Sequence, residues 1–357
     1  MIKQETFTPQ WLEQFRQQPQ YKRINSPVFE KMSYALLLLE KLVQTEVKFI
    51  FKGGTSLVLL MEETDRFSVD IDIMTLNSKD DIEKALNDVV ANSVFTGWEP
   101  DERSNSDEKI PKAHYKVLFE SEINANAEIL LDVLFEESYY PNTVRVPIRC
   151  SWISAEEPWI EVEIPCVNSI LGDKLTAFAP NTTGIRYGVG KHIEIVKQLH
   201  DVGKLFDGTT DTSIVKASFD KVAFAQIKYR GLEITPSDIC DDVIETALII
   251  AREARQMNKG EDKVRMTEIQ DGINGFQGFL MGGSFRLDDA VTASAKAAYL
   301  GAMIKMNDAS FELYNSQDIS NLDIENTEYN YLNRLRKINK EAFFYWHKAL
   351  QVLGIDK

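Results

Sequence analysis

The first clear run of apolar positions lies in "SPVFEKMSYALLLLEKLVQ", where they recur at helical spacing behind Ser26 and Pro27. Serine suits a cap and proline the first helical position, so the pattern predicts a helix. Residues 1–25 are polar and read as peripheral. "VKFIFKGG" is a short β-branched and aromatic run closed by glycines, and predicts a strand. "TSLVLLMEE" predicts a helix leaving that glycine turn. In "SVDIDIMTL" the period drops to two. Val69, Ile71 and Ile73 share one face and Asp70 and Asp72 the other, as in a half-buried strand.

"KDDIEKALNDVVANS" predicts an amphipathic helix. "AHYKVLFES" and "AEILLDVLFEE" predict two strands joined by the polar turn "EINANA". In the second strand Ala127, Ile129, Leu131 and Val133 share one face, and Glu128, Leu130, Asp132 and Leu134 the other. "WIEVEIPCV" predicts a last, edge-like strand. After about residue 167 the pattern turns helical. "NSILGDKLTAFAP" is a helix closed by Pro180, "NTTGIRYGVGK" a glycine-rich loop, and "HIEIVKQLHDVGKLFD" a second helix. Further helices are expected over roughly 212–230, 236–257, 264–278, 287–307 and 328–353. The chain is therefore expected to be α+β: a mixed α/β domain over 1–166, then a mainly helical domain over 167–357.

Composition narrows the class. The chain has 357 residues, 44% hydrophobic and 27% charged, which suits a soluble globular protein with sizeable cores. The net charge of -15 counts against a broad, non-specific nucleic-acid binder but leaves room for a local basic patch. Cys150, Cys166 and Cys240 are odd in number and lack metal-ligand spacing, which argues against a disulfide framework and fits a reducing cytosol. The polar start has no signal-peptide core, and "YALLLLEKLV" and "ALIIA" are too short to span a bilayer. The expectation is a cytoplasmic protein with no membrane partner.

The candidate chemistry sits in "FKGGTSLVLLMEETDRFSVDIDIMT". Carboxylates at i and i+2 on a strand point the same way and repel unless a cation lies between them. A hard ion such as Mg²⁺ answers that need and completes its shell with water and phosphate oxygens. Gly53 and Gly54 allow close backbone approach to a ligand, and the helix from Thr55 offers N–H groups to an anion. Each motif alone is commonly only a tight turn or a solvent-facing strand. Their succession as strand, glycine turn, helix and strand is far more specific.

These blocks resemble the first two motifs of the nucleotidyltransferase-like toxins of the AbiEii/AbiGii (MenT) family. The match falls on Gly53, Gly54, Thr55, Ser56 and Leu57, then on Arg66, Phe67, Ser68, Asp70, Ile71 and Asp72, with Ile73 where leucine is usual. A third motif is matched by Ile170, Asp173, Lys174, Leu175 and Ala177. A fourth is matched at Asp201, with departures: His200 stands where arginine is usual, and Gly203-Lys204 where a second acid is usual. The resemblance implies a DNA-polymerase-β-like core, a mixed sheet flanked by helices, followed by a helical domain that completes the active-site cleft. It implies an enzyme that moves NMP from an NTP to an acceptor hydroxyl, with release of pyrophosphate. The implied acceptor is a tRNA 3′ end or other RNA, and the implied setting a toxin–antitoxin or phage-abortive system with a cognate antitoxin as partner. Asp70, Asp72, Lys174 and Asp201 would be catalytic. Gly53, Gly54, Thr55, Ser56, Arg66 and Lys174 would bind nucleotide. Asp70, Asp72 and Asp132 would hold one or two Mg²⁺ ions.

Several points stay open on the sequence. Glu128, on the same face, competes with Asp132 as the third carboxylate. Asp201 would either hold Lys174 or take the acceptor's proton. Transfer to a small molecule or protein, and a catalytically idle nucleotide-binding module, are the alternative functions. Arg186 and Lys191 in the glycine-rich loop could grip phosphate or simply lie on the surface. Phe343, Phe344 and Trp346 read as core contacts of a terminal helix. The four histidines, His114, His192, His200 and His347, do not cluster at ligand spacing.

Overall fold

Two of the predicted strands carry the alternation that builds the sheet. Along β5 (Ala127–Leu134) the odd positions from Ala127 to Val133 are buried, while Glu128, Leu130, Asp132 and Leu134 are half-buried. β4 (Lys112–Phe119) buries Tyr115, Val117 and Phe119 on the same side. β2 (Ile71–Met74) buries Ile71 and Ile73, and β1 (Ile50–Lys52) buries Phe51. With β3 (Phe95–Pro100) they form one five-stranded sheet in the order β1-β2-β5-β4-β3. Only the β2–β5 pair is parallel, so the sheet is mixed. Its apolar face belongs to one core with α2 (Ser26–Val43), through Phe29, Met32 and Leu36, and with α4 (Lys79–Ala91), through Ile82, Leu86 and Val89. α4 starts at a capping box in which Ser78 and Asp81 bond each other's backbone N–H.

The computed structural model describes all residues except 19–20, 22–25, 62–64, 102–109, 122, 124–126, 254–255 and 357. Most of the expected "EINANA" turn, the end of the "TSLVLLMEE" helix and part of the expected helix end near 257 lie outside the described residues. The described chain divides into two compact units. The first comprises Met1–Cys166 and Gly278–Ser284, and the second Val167–Gln277 and Phe285–Lys357.

In the first unit, α1 (Pro9–Arg16) precedes α2, and α3 (Gly53–Leu60) follows β1 directly. β6 (Thr143–Pro147) and β7 (Glu161–Pro165) pair antiparallel as a separate two-stranded sheet. The segment Gly278–Ser284 lies along the chain that leads into β2. Phe67 N–H donates to the Phe279 carbonyl at 2.7 Å, Met281 N–H to the Asp65 carbonyl at 2.8 Å, and Arg66 and Leu280 form a β-bridge.

The second unit is helical: α5 (Val167–Ala177), α6 (His192–Asp207), α7 (Thr212–Arg230), α8 (Pro236–Glu253), α9 (Gly260–Phe276), α10 (Leu287–Met306), α11 (Leu335–Ile338) and α12 (Lys340–Val352). α5 and α7 cross closely at Gly172, where an added Cβ would lie 2.4 Å from the Val215 carbonyl oxygen and 2.7 Å from the Phe219 nitrogen. Beside that contact the Ser218 hydroxyl donates to the Ser169 carbonyl. Phe343, Phe344 and Trp346 are buried, as a terminal core helix requires. No helix among the described residues is long and apolar enough to cross a membrane.

The α+β class holds, with three local differences. β3 is an edge strand whose register shifts between Phe95 and Gly97, which breaks the two-residue period that would have announced it. β6 is short and has no fully buried position, so it has no apolar face to read. The helix expected over 328–353 is interrupted at Asn339. That residue leaves the helical region and caps α12 by accepting from Ala342 N–H. Gly172→Ala is expected to lower the unfolding midpoint in urea, at a cost of about 1–3 kcal/mol, because backbone rather than a flexible side chain blocks the new methyl.

Candidate active site

β2 and β5 run parallel with Ile71 beside Leu131, Asp72 beside Asp132 and Ile73 beside Val133. The apolar residues go to the core, so Asp72 and Asp132 emerge together on the opposite face. Glu128 lies four residues further back on β5, opposite Leu118, with Lys116 Nζ at 3.9 Å from its carboxylate. The structure therefore sets Asp132, not Glu128, next to Asp72. On the far side of Asp132 is His114, its partner in the β4–β5 ladder, with Nδ1 2.7 Å from Asp132 Oδ1. On the far side of Asp72 is Lys52, its partner in the β1–β2 ladder. Asp70 immediately precedes β2, and its carbonyl accepts from the buried Thr55 hydroxyl at 2.6 Å.

The glycine pair is shaped by these neighbours. Gly53 has φ +80°, and a Cβ there would lie 2.2 Å from Asp72 Oδ2. The turn is thus pressed against a carboxylate, and only glycine fits both the backbone angle and the space. A Cβ on Gly54 would lie 2.7 Å from Arg66 Nη2 and 2.9 Å from Ser68 Oγ. Ser68 Oγ also lies 2.9 Å from Thr55 Oγ1, hydroxyl to hydroxyl, and Ser56 Oγ donates to the Gly53 carbonyl. Arg66 is only 6% exposed and donates Nη1–H to the Phe67 carbonyl at 3.0 Å. Its guanidinium lies under the turn as a brace.

Among the described residues no group of three or more His, Cys, Asp or Glu side chains is disposed to hold a metal ion. The donors at hand nonetheless suit a hard cation. Asp72 and Asp132 are neighbouring carboxylates backed by a glycine turn, and Mg²⁺ takes one or two carboxylates and draws its other ligands from water and phosphate. The fit is to an open site that a nucleotide would complete.

In the second unit α5 and α6 bring Lys174 and Asp201 together, Nζ to Oδ2 at 2.9 Å. Both are buried. Gln198, one turn earlier on α6, accepts a second hydrogen bond from the ammonium at 3.1 Å. His200, the departure from the family pattern, is buried against the rings of Phe276 and Phe285 at 5.0 and 5.3 Å, a setting for a flat ring. Lys204 is exposed. Gly203 faces α10, where an added Cβ would lie 2.8 Å from the Ala293 methyl. In the glycine-rich loop Arg186 and Lys191 are exposed, and Gly188 N–H is held by the Glu268 carboxylate.

His114, Lys52 and Gln198 escaped the sequence reading. Their signal is register and helix phase, which need the partner element as well as the residue. Gly53→Ala is expected to push Asp72 out of place and, in the activity that the sequence resemblance implies, to cut pyrophosphate release about 100-fold, since a misplacement near 1 Å carries such a cost. Asp201→Leu is expected to destabilise the chain by about 3–5 kcal/mol in denaturant unfolding, because it strands a buried ammonium, and the added Lys174→Met should recover most of that loss.

The structure is similar to that of MenT4, a nucleotidyltransferase toxin from Mycobacterium tuberculosis H37Rv, at 13% identity and a TM-score of 0.48, over 90% of this chain and 95% of that one. It is also similar to an antigenic nucleotidyltransferase-like protein from Paracoccidioides brasiliensis, at 13% identity and a TM-score of 0.37, over 57% of this chain and 89% of that one. None of the curated proteins compared matches the chain. The sequence profile described as nucleotidyl transferase AbiEii toxin, type IV TA system, matches residues 37–282, well over half of the chain. The chain therefore belongs to the AbiEii family of nucleotidyltransferase toxins of type IV toxin–antitoxin systems.

Proposed function

We propose that this enzyme transfers a nucleoside monophosphate from an NTP to the terminal hydroxyl of an RNA, a tRNA 3′ end by preference, and that the transfer is Mg²⁺-dependent. The observation that carries the reading is the placement of Asp72 beside Asp132 with the Gly53 turn pressed against Asp72. Two adjacent carboxylates are costly to keep unless a cation is meant to lie there.

Each residue of the site then has a task. Asp70, Asp72 and Asp132 hold the cation. The turn from Gly53 to Ser56 receives the triphosphate, and Arg66 keeps that turn in shape from below. Magnesium bound at these carboxylates would supply charge neutralisation for the phosphates and for the attacking oxygen. Lys174 contributes cationic charge to the reaction, and Asp201 with Gln198 fixes its ammonium. An acidic chain that acts on RNA needs local basic residues to meet the backbone, and Arg186 and Lys191 are exposed for that purpose. A cognate antitoxin restrains the activity in the cell, which is the cytoplasm in this reading.

The test is incubation with each α-labelled NTP, Mg²⁺ and total cellular RNA, alongside Asp70→Ala/Asp72→Ala. Label on RNA of tRNA size, absent with the double variant and after EDTA, is the expected outcome. Label only on protein or small molecules would overturn the RNA acceptor. No label on any acceptor would reduce the chain to a nucleotide-binding module.

A further inference from the structure

Asp132 is flanked on both sides. The sheet order β2-β5-β4 puts Asp72 on one side of it and His114 on the other. Next to a second acid, the Asp132 carboxylate would turn away. His114 opposes that turn. An ionised carboxylate only accepts, so the short Nδ1···Oδ1 contact of 2.7 Å is a donation from the ring. That bond sets the plane of the carboxylate.

The histidine is itself well held. Its carbonyl accepts from Asp101 N–H at 2.8 Å, which ties β4 to the residue after β3. Its side chain is 14% exposed, against 28% for that of Asp132. Lys116, two residues on along the same face, has its ammonium within 4.0 Å of Glu99, Asp101 and Glu128. A lysine in place of His114 would cancel the charge of Asp132 and compete with a divalent ion. An imidazole donates one directed hydrogen bond from Nδ1.

We propose that His114 is a positioning residue, which holds Asp132 turned towards Asp72 so that the two carboxylates can serve one divalent cation. This rests on the nucleotidyl-transfer reading above. His114 touches neither nucleotide nor acceptor in this role. It acts through Asp132 alone.

The experiment titrates the full chain with Mn²⁺ and follows the free ion by its electron paramagnetic resonance signal, with thermal melting of each variant in parallel. Wild type should bind and Asp72→Asn should bind far more weakly. His114→Leu should weaken Mn²⁺ binding about 10–100-fold with little change in melting temperature. Two further variants separate the role from mere packing. Asn carries its amide N–H near the place of Nδ1 and should restore most of the affinity, whereas Gln carries it too far out and should not. If His114→Leu binds Mn²⁺ like wild type, or if the Asn and Gln variants bind alike, the proposal is overturned while the metal site stands. If Asp72→Asn binds like wild type, the metal site itself falls and this inference falls with it.

Discussion

Parallel pairing of β2 with β5 is the interaction on which the site depends. The partners are Ile71, Ile73, Leu131 and Val133, all buried, and their burial fixes the register. Four such side chains contribute on the order of 6–12 kcal/mol. Two ionised carboxylates about 5 Å apart repel by roughly 3 kcal/mol at an effective dielectric near 20. The core therefore wins, and Asp72 and Asp132 are forced together by residues that never touch a ligand. A slip of β2 by one residue would send Asp72 into the core and leave Ile71 and Ile73 on the open face. The glycine turn and His114 are fitted around this arrangement from either side.

The second unit handles charge differently. Lys174 and Asp201 pair inside a helical core, where water does not share the load. A buried pair of this kind contributes little net stability, yet each partner becomes indispensable to the other. Asp201 thus has a structural reason to be present whatever it does in the reaction. The departures from the family pattern also have local causes. His200 is lodged between two phenylalanines, and Gly203 meets α10 with no room for a side chain.

Much of this was readable in the chain. The two-residue period in "SVDIDIMTL" and "AEILLDVLFEE" placed the acids and the core residues on the faces they occupy, because one face of each strand is buried and the other is not. The glycine pair and the Lys174 and Asp201 helices were also visible. What escaped were relations between elements. Nothing in β5 alone tells which of Asp132 and Glu128 lies nearer Asp72, since both share a face; the parallel register sets Asp132 beside it. His114 looked isolated because its partner is 18 positions away along the chain. The β3 strand was hidden by its bulge, and the break at Asn339 by the apolar pattern that continues on both sides of it.

The bridge between Arg66 and Leu280 carries a consequence for the order in which the protein can be made. The Asp65–Phe67 stretch leads straight into the carboxylate strand, and its hydrogen-bonding partner is Phe279–Met281, encoded some two hundred positions later on. A ribosome emitting about 5–20 residues per second would release β1, β2 and β5 well before that partner emerges. For that interval the nascent first unit has the five strands of its main sheet but not the clasp beside Arg66. A chain cut short ahead of Gly278 never acquires the clasp at all. For a protein whose activity is a toxin's, the clasp of the first unit is then placed late in translation, and synthesis interrupted before it yields an unclasped fragment rather than a finished enzyme.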